Sequence, residues 1–273
     1  MLSKSNRFSR RFVLQLLGGT GLAIAFSSCR AQTPTTTAPL RIGLNVGNVP
    51  WEFENEAGEL VGFEVDMIKH IAEQLNRPLE FLDLPFIDLF PSLLSQRIDI
   101  AMASITITSE RLENFDFAQP YYDSDQSLTV KVDSNITRLE DLQGQEVGVE
   151  NGSTGDQWVE EHKEKYQFSR IRRYEGLPPA MADLEAGIFA GYISDIPGML
   201  HYTQDKPLLQ VVQRIPTGEQ YSFMFAKGNP LRDEVNAEIT RLKETGQLAE
   251  IHERWFGTPP DEGTSTVDVL PVP

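Results

Sequence analysis

The chain has 273 residues, of which 24 are Lys or Arg and 40 are Asp or Glu, giving a net charge of −16. That acidic balance argues against nucleic acid as a partner, because phosphate binding needs a basic face. A single cysteine excludes an internal disulfide framework, and the length suffices for two domains of ordinary size.

Residues 1–28 read as an export signal rather than as part of the fold. Ser9-Arg10-Arg11 precedes an uncharged run from Phe12 to Phe26 that is too short and too rich in glycine for a good membrane span. The paired arginines are similar to a twin-arginine signal, with general secretion as the other route. Cys29 follows Phe26-Ser27-Ser28 at a place that resembles a lipoprotein cleavage site, so it is the expected lipidation position; a plain signal peptide cut near Ala31 or Gln32 is the alternative. Removing Lys4, Arg7, Arg10 and Arg11, with no acid among them, takes the net charge from −16 to −20. Residues 29–39, ending in QTPTTTAP, have no apolar periodicity and read as a flexible tether.

From Leu40 the chain alternates strand and helix patterns. Leu40 to Val46 predicts a strand that opens onto the loop Gly47 to Trp51. Val65, Ile68, Ile71, Ala72 and Leu75 share one helical face; Leu79 to Leu84 predicts a strand, Asp88 to Gln96 a helix and Ile98 to Ala103 a doubly buried strand. The next stretch, Ser104 to Tyr122, carries the chemistry. Ser104, Thr106 and Thr108 alternate with Ile105 and Ile107, which puts hydroxyls on one edge of an extended backbone. Thr108 or Ser109 can cap a helical turn that begins near Arg111, and a guanidinium beside free helix N–H groups suits a small carboxylate. The competing expectation is a surface arginine paired with Glu110 or Glu113.

The cycle repeats. Strands are predicted at Ser127 to Val132, Glu146 to Val149, Arg170 to Tyr174 and Gly191 to Ser194, with helices at Arg138 to Leu142, Trp158 to Lys165 and Pro179 to Ala186. Tyr221 to Ala226 then returns as a strand, followed by helices at Pro230 to Thr245 and Leu248 to Trp255. The alternation implies an α/β protein in which each of two lobes is a mixed, mostly parallel sheet flanked by helices. Residues 40–125 plus 219–257 form lobe 1, residues 126–218 form lobe 2, and the proline-rich residues 258–273 form a disordered tail. Ligands of such sheets sit beyond the carboxyl ends of the strands, here in the cleft between lobes.

Several collinear stretches resemble one family, the bacterial extracellular solute-binding proteins of family 3, the polar amino-acid receptors of ABC importers. They are Leu60 to Asp66 (LVGFEVD), Ile98-Asp99, Ile105 to Thr108 with Glu110-Arg111, Phe115 to Phe117 with Pro120-Tyr121-Tyr122, Leu139 to Leu142, Gly148 to Thr154, and Trp255-Phe256-Gly257. The resemblance implies a two-lobed periplasmic-binding fold of type II that closes on a free L-amino acid and delivers it to permease subunits. It also implies a monomer in the periplasm, attached to the cytoplasmic membrane only through lipid on Cys29. Arg111 is then the partner of the ligand α-carboxylate, with N–H groups of Thr106 and Thr154, while Ser104, Thr106 and Asp195 hold the α-ammonium. Asn45, Asn48, Trp51, Phe86 and Ser153 complete the expected ligand contacts.

No cofactor, metal or catalytic residue is expected, since His70, His162, His201 and His252 form no ligand motif and Cys29 precedes the fold. Two rivals remain open. A cyclohexadienyl dehydratase-like enzyme on the same fold could use Glu150 or Asp195 as general acid or base, and a ligand-sensing receptor component could share the fold. On specificity, members of the family that bind basic amino acids generally have an acid at the place of Asn45. Asn45 cannot neutralise a cation, so the expectation is a polar uncharged ligand such as glutamine, with loop-shaping turns as the alternative role for Asn45 and Asn48.

Overall fold

The computed structural model describes residues 38–273; the signal segment, Cys29 and the tether up to residue 37 lie outside the described residues. In chain order, the first half contains β1 (Leu40–Leu44), a small hairpin of β2 (Phe53–Glu54) and β3 (Leu60–Val61), α1 (Phe63–Gln74), β4 (Leu79–Asp83), α2 (Phe86–Leu94), β5 (Ile100–Ala101), α3 (Ser109–Asn114) and β6 (Phe115–Phe117). There follow β7 (Tyr122–Lys131), a 3-10 turn at Leu139–Leu142, β8 (Glu146–Glu150), α4 (Thr154–Tyr166), β9 (Arg170–Tyr174), α5 (Leu177–Glu185), β10 (Gly191–Asp195), α6 (Ile196–Thr203) and β11 (Leu209–Tyr221). The described chain closes with β12 (Met224–Ala226), α7 (Leu231–Glu244) and α8 (Gln247–Phe256).

Two five-stranded sheets result, ordered β4-β1-β5-β12-β6 and β11-β7-β10-β8-β9. In each, four strands run in one direction and a single strand, β12 or β7, runs against its neighbours, which gives a mixed sheet in both lobes. Period-two alternation explains why both faces are covered. Ile100 and Met102 enter a core with Phe63, Ile71 and Leu242 from the helices on one face, while Ala101 and Ala103 join Leu89 and Leu93 of α2 on the other. Lobe 2 repeats the scheme, with Ile193 packed among Leu128, Val147 and Val159, and its neighbour Tyr192 among Leu177, Met181 and Leu184.

The lobes are joined by β7 and β11, which pair antiparallel from Lys131 and Leu209 up to Tyr122 and Tyr221. β7 begins at Tyr122 rather than Ser127, and β11 has no counterpart among the predicted strands, because the added residues owe their extended form to pairing with each other. Alternate predictions shift in similar ways. The Ile98 to Ala103 run is a two-residue strand, and the helix expected from Trp158 begins at Thr154, so that its N-terminus reaches the cleft.

Residues 258–273, expected to be disordered, pack against lobe 1. Ser265 donates through its N–H and hydroxyl to Asp123, Thr266 donates to Tyr121 O at 3.0 Å, and Lys243 donates to Asp268 O at 2.9 Å. The contacts are polar and specific, so the segment carries no apolar periodicity from which they could be anticipated.

Candidate ligand-binding site

The loop after β5 builds one wall. Ser104 adopts a left-handed backbone (φ 45°), its N–H donates to the Glu64 carboxylate at 2.9 Å, and its hydroxyl accepts from Asn48 Nδ2 at 3.1 Å. Glu64 also accepts from the Tyr121 hydroxyl, and Glu52 accepts from Asn48, so two buried carboxylates of lobe 1 anchor this loop from beneath. Desolvation together with the nearby Glu64 charge holds the Glu52 carboxyl well above the usual carboxylate range.

Thr108 caps α3, its hydroxyl accepting from Arg111 N at 3.2 Å. Arg111 is only 6% exposed and pairs with neither Glu110 nor Glu113, which rules out the surface-arginine expectation. Its guanidinium lies 5.5 and 5.2 Å from the ring centroids of Phe86 and Phe90. It donates to Thr106 O at 2.7 Å and to Gly152 O of lobe 2 at 3.3 Å. Burial pushes its pKa down to about 10, against the opposing pull of Glu219, Asp195 and Glu110.

Lobe 2 presents the turn between β8 and α4. Gly152 has φ +76°, and a Cβ there would press on Ile87 across the cleft, so both the backbone form and the close approach require glycine. Ser153 caps α4 by accepting from Asp156 N at 3.0 Å. The first N–H groups of α4 have no partners within the helix, which leaves Thr154 at a place suited to an anion. Asp195 occupies the cap position of α6 but makes no capping hydrogen bond; its carboxylate accepts from Gln126 Nε2 instead. Burial, reinforced by the charge of Glu219, pushes its pKa up to about 8.

The ten residues singled out from the sequence line two adjoining cavities between the lobes. One has a volume of about 20 Å³ and is lined by Phe86, Thr106, Arg111, Ser153 and Thr154. The other has about 30 Å³ and is lined by Asn45, Asn48 and Trp51; Ser104 and Asp195 line both. Larger hollows lie on the outer surface, at Lys131 to Ile136 and beneath Thr258 to Asp261, but neither brings together a buried cation and a buried acid from different lobes. Among the described residues no cluster of His, Cys, Asp or Glu is arranged to hold a metal.

Three participants escaped sequence reasoning. Glu219, in β11, accepts from Thr106 Oγ1 at 2.6 Å, Thr154 Oγ1 at 2.8 Å, Gln126 Nε2 at 2.8 Å and Thr217 Oγ1 at 3.0 Å, and so ties the lobes at the crossing. Gln126 links Glu219 to Asp195. Glu150, anticipated only as a possible acid or base, lines both cavities, and burial together with the charge of Glu175 pushes its pKa up to about 7. Its place at the carboxyl end of β8 was the available signal. Asn45 Nδ2 donates to Leu84 O at 3.0 Å and Asn48 Nδ2 to Glu52 and Ser104, so both amides support the loops while also lining the cavity.

Residues 40–258 match the sequence model of the bacterial extracellular solute-binding proteins, family 3. The chain is 30% identical over 267 residues to the histidine-binding periplasmic protein of Escherichia coli K12, covering 90% of this chain and 97% of that one. Among solved structures it is similar to an ancestral arginine-binding protein bound to arginine, with TM-score 0.76, 33% identity and coverage of 81% and 100% of the two chains. It is equally similar to an ancestral arginine-binding protein bound to glutamine, with TM-score 0.76, 32% identity and coverage of 81% and 98%.

Proposed function

Because the chain belongs to the bacterial extracellular solute-binding proteins, family 3, we propose that it captures one free L-amino acid between its lobes and delivers it to the permease of an ABC importer. The observation that carries this reading is that one cavity is lined by a buried guanidinium, Arg111 from lobe 1, and by a carboxyl group, Asp195 from lobe 2. A zwitterion sealed from water needs both of its charges paired, or it loses several kcal/mol per charge. Arg111 with the N-terminus of α4 suits the α-carboxylate; Asp195, Ser104 and Thr106 suit the α-ammonium. The structural relative that is described with arginine in one case and glutamine in another supports a side-chain subsite for nitrogen-bearing ligands. Glutamine is the uncharged candidate of that class.

Calorimetry of the purified protein against a panel of L-amino acids and their decarboxylated amines tests the reading. Binding should require both the α-carboxylate and the α-ammonium; amines that bind as tightly as amino acids would contradict it. On the same reading the protein works in the periplasm with lipid on Cys29, more than one acyl chain being needed for stable attachment. Cys29→Ser should then move it from the membrane to the soluble fraction, and a wild-type protein that is already soluble would exclude the anchor.

One observation favours a second reading. Glu150 at about 7 and Asp195 at about 8 share a cleft, the kind of tuning a dehydratase uses. Incubation with cyclohexadienyl acids separates the two readings, because an enzyme forms product and a receptor returns the acid unchanged.

A further inference from the structure

Four of the five acids at and beneath the cleft have hydrogen-bond donors. Glu52 and Glu64 hold the Ser104 loop, Glu219 accepts from four side chains, and Asp195 accepts from Gln126 and lies where an α-ammonium would sit. Glu150 differs. Glu52 and Glu64 each leave one buried oxygen, Oε2, without a donor, whereas among the described residues no donor reaches either oxygen of Glu150; its Oε1 is sealed from solvent and the side chain lines both cavities. A carboxylate left without donors in a sheltered site is costly, so one on a residue lining a ligand cavity calls for a donor.

The surroundings define that donor. The cavity beyond Ser104 and Asp195 has apolar walls from Trp51, Leu177 and Met199. Asn48 uses both of its N–H groups within lobe 1 and Asn45 uses one of its two, so the carbonyl oxygens of both amides remain as acceptors. Acceptors beside these apolar side chains match a ligand side chain with an aliphatic stem and a donor-rich head. Charge points the same way. The α-carboxylate answers Arg111 and the α-ammonium answers Asp195, so one carboxylate remains for the side chain, and an acidic side chain would face it without a second cleft cation.

We propose that Glu150 is the specificity-determining residue of the site, recognising a cationic ligand side chain (guanidinium, ammonium or imidazolium) from lobe 2. This deepens the amino-acid-receptor reading and rests on it. It also places the countercharge on lobe 2, opposite Asn45, where the sequence argument against basic ligands considered only lobe 1.

The test is calorimetry at pH 8 with arginine, citrulline and glutamine on the full chain, its Glu150→Gln variant and its Glu150→Asp variant. Citrulline keeps the length and shape of arginine and lacks its charge. Wild type should bind arginine about a hundredfold more tightly than citrulline, the loss typical of a desolvated charge pair. Glu150→Gln should erase that gap while citrulline affinity stays within about threefold, and Glu150→Asp should retain part of the gap. Equal wild-type affinity for arginine and citrulline, or an undiminished gap in Glu150→Gln, overturns the assignment and leaves the receptor reading intact. A wild-type protein that binds none of the three, nor any other amino acid, overturns both.

Discussion

Arg111→Ala is the most direct perturbation of the site. The guanidinium is 6% exposed, flanked by Phe86 and Phe90 and bonded to carbonyls of both lobes, so the cavity has no other buried cation for a ligand carboxylate. Removing it leaves that carboxylate buried and unpaired, which should weaken binding by about 3–5 kcal/mol, roughly two to four powers of ten in Kd. Stability should respond much less. Thr106 O and Gly152 O lose a donor, but the protein is also relieved of a desolvated cation, whose burial holds its pKa down to about 10. A net change of about 1 kcal/mol would move Tm by roughly 2–4 °C. Arg111→Lys keeps the charge without the two-pronged donor and should fall between wild type and Arg111→Ala. Calorimetry gives the affinities and a thermal melt by circular dichroism establishes that each variant is folded. A folded Arg111→Ala protein with wild-type affinity would refute the assignment of Arg111 to the carboxylate.

Three further outcomes are expected. Without ligand the Asp195 carboxyl stays protonated below about pH 8, while an α-ammonium favours the ionised form, so amino-acid affinity should rise from pH 6 to pH 8 with proton release and then level off. The same raised pKa means the folded chain holds a proton that the unfolded chain has released, so this group's contribution to stability falls as pH rises from about 4 to about 8; Asp195→Asn should flatten both trends, and unchanged slopes would count against it. Glu219→Ala strands the donors of Thr106, Thr154, Thr217 and Gln126, and should cost about 1–3 kcal/mol in denaturant titrations while small-angle scattering shows a larger radius of gyration with ligand bound; identical scattering curves would remove Glu219 from lobe closure. Deleting residues 258–273 removes the contacts to Asp123, Tyr121 and Lys243, so Tm should drop by several degrees with ligand affinity unchanged; an unaltered Tm would show that the tail contributes no stability.

By itself the sequence determined what local periodicity and capping encode. Alternation over Ile98 to Ile107 marked a buried strand followed by a hydroxyl-lined edge, Thr108 marked the cap that aims Arg111, and the repeated strand–helix pattern marked two lobes with a cleft between them. Each signal spans a few residues and depends on neighbours in the chain, so it survives without coordinates. The convergence of Gln126, Glu150 and Glu219 was decided only by tertiary structure, because they lie on three separate strands; Glu150 at a strand end was open to suspicion, while no local pattern distinguishes Gln126 and Glu219 from surface polar residues. The hydrogen bonds of Asn45 and Asn48 depend on packing in the same way, since their partners Leu84, Glu52 and Ser104 are brought to them by other segments. The tail followed the same rule: its attachment rests on Asp123, Tyr121 and Lys243, more than 20 residues away in sequence, where composition alone suggested an unattached end.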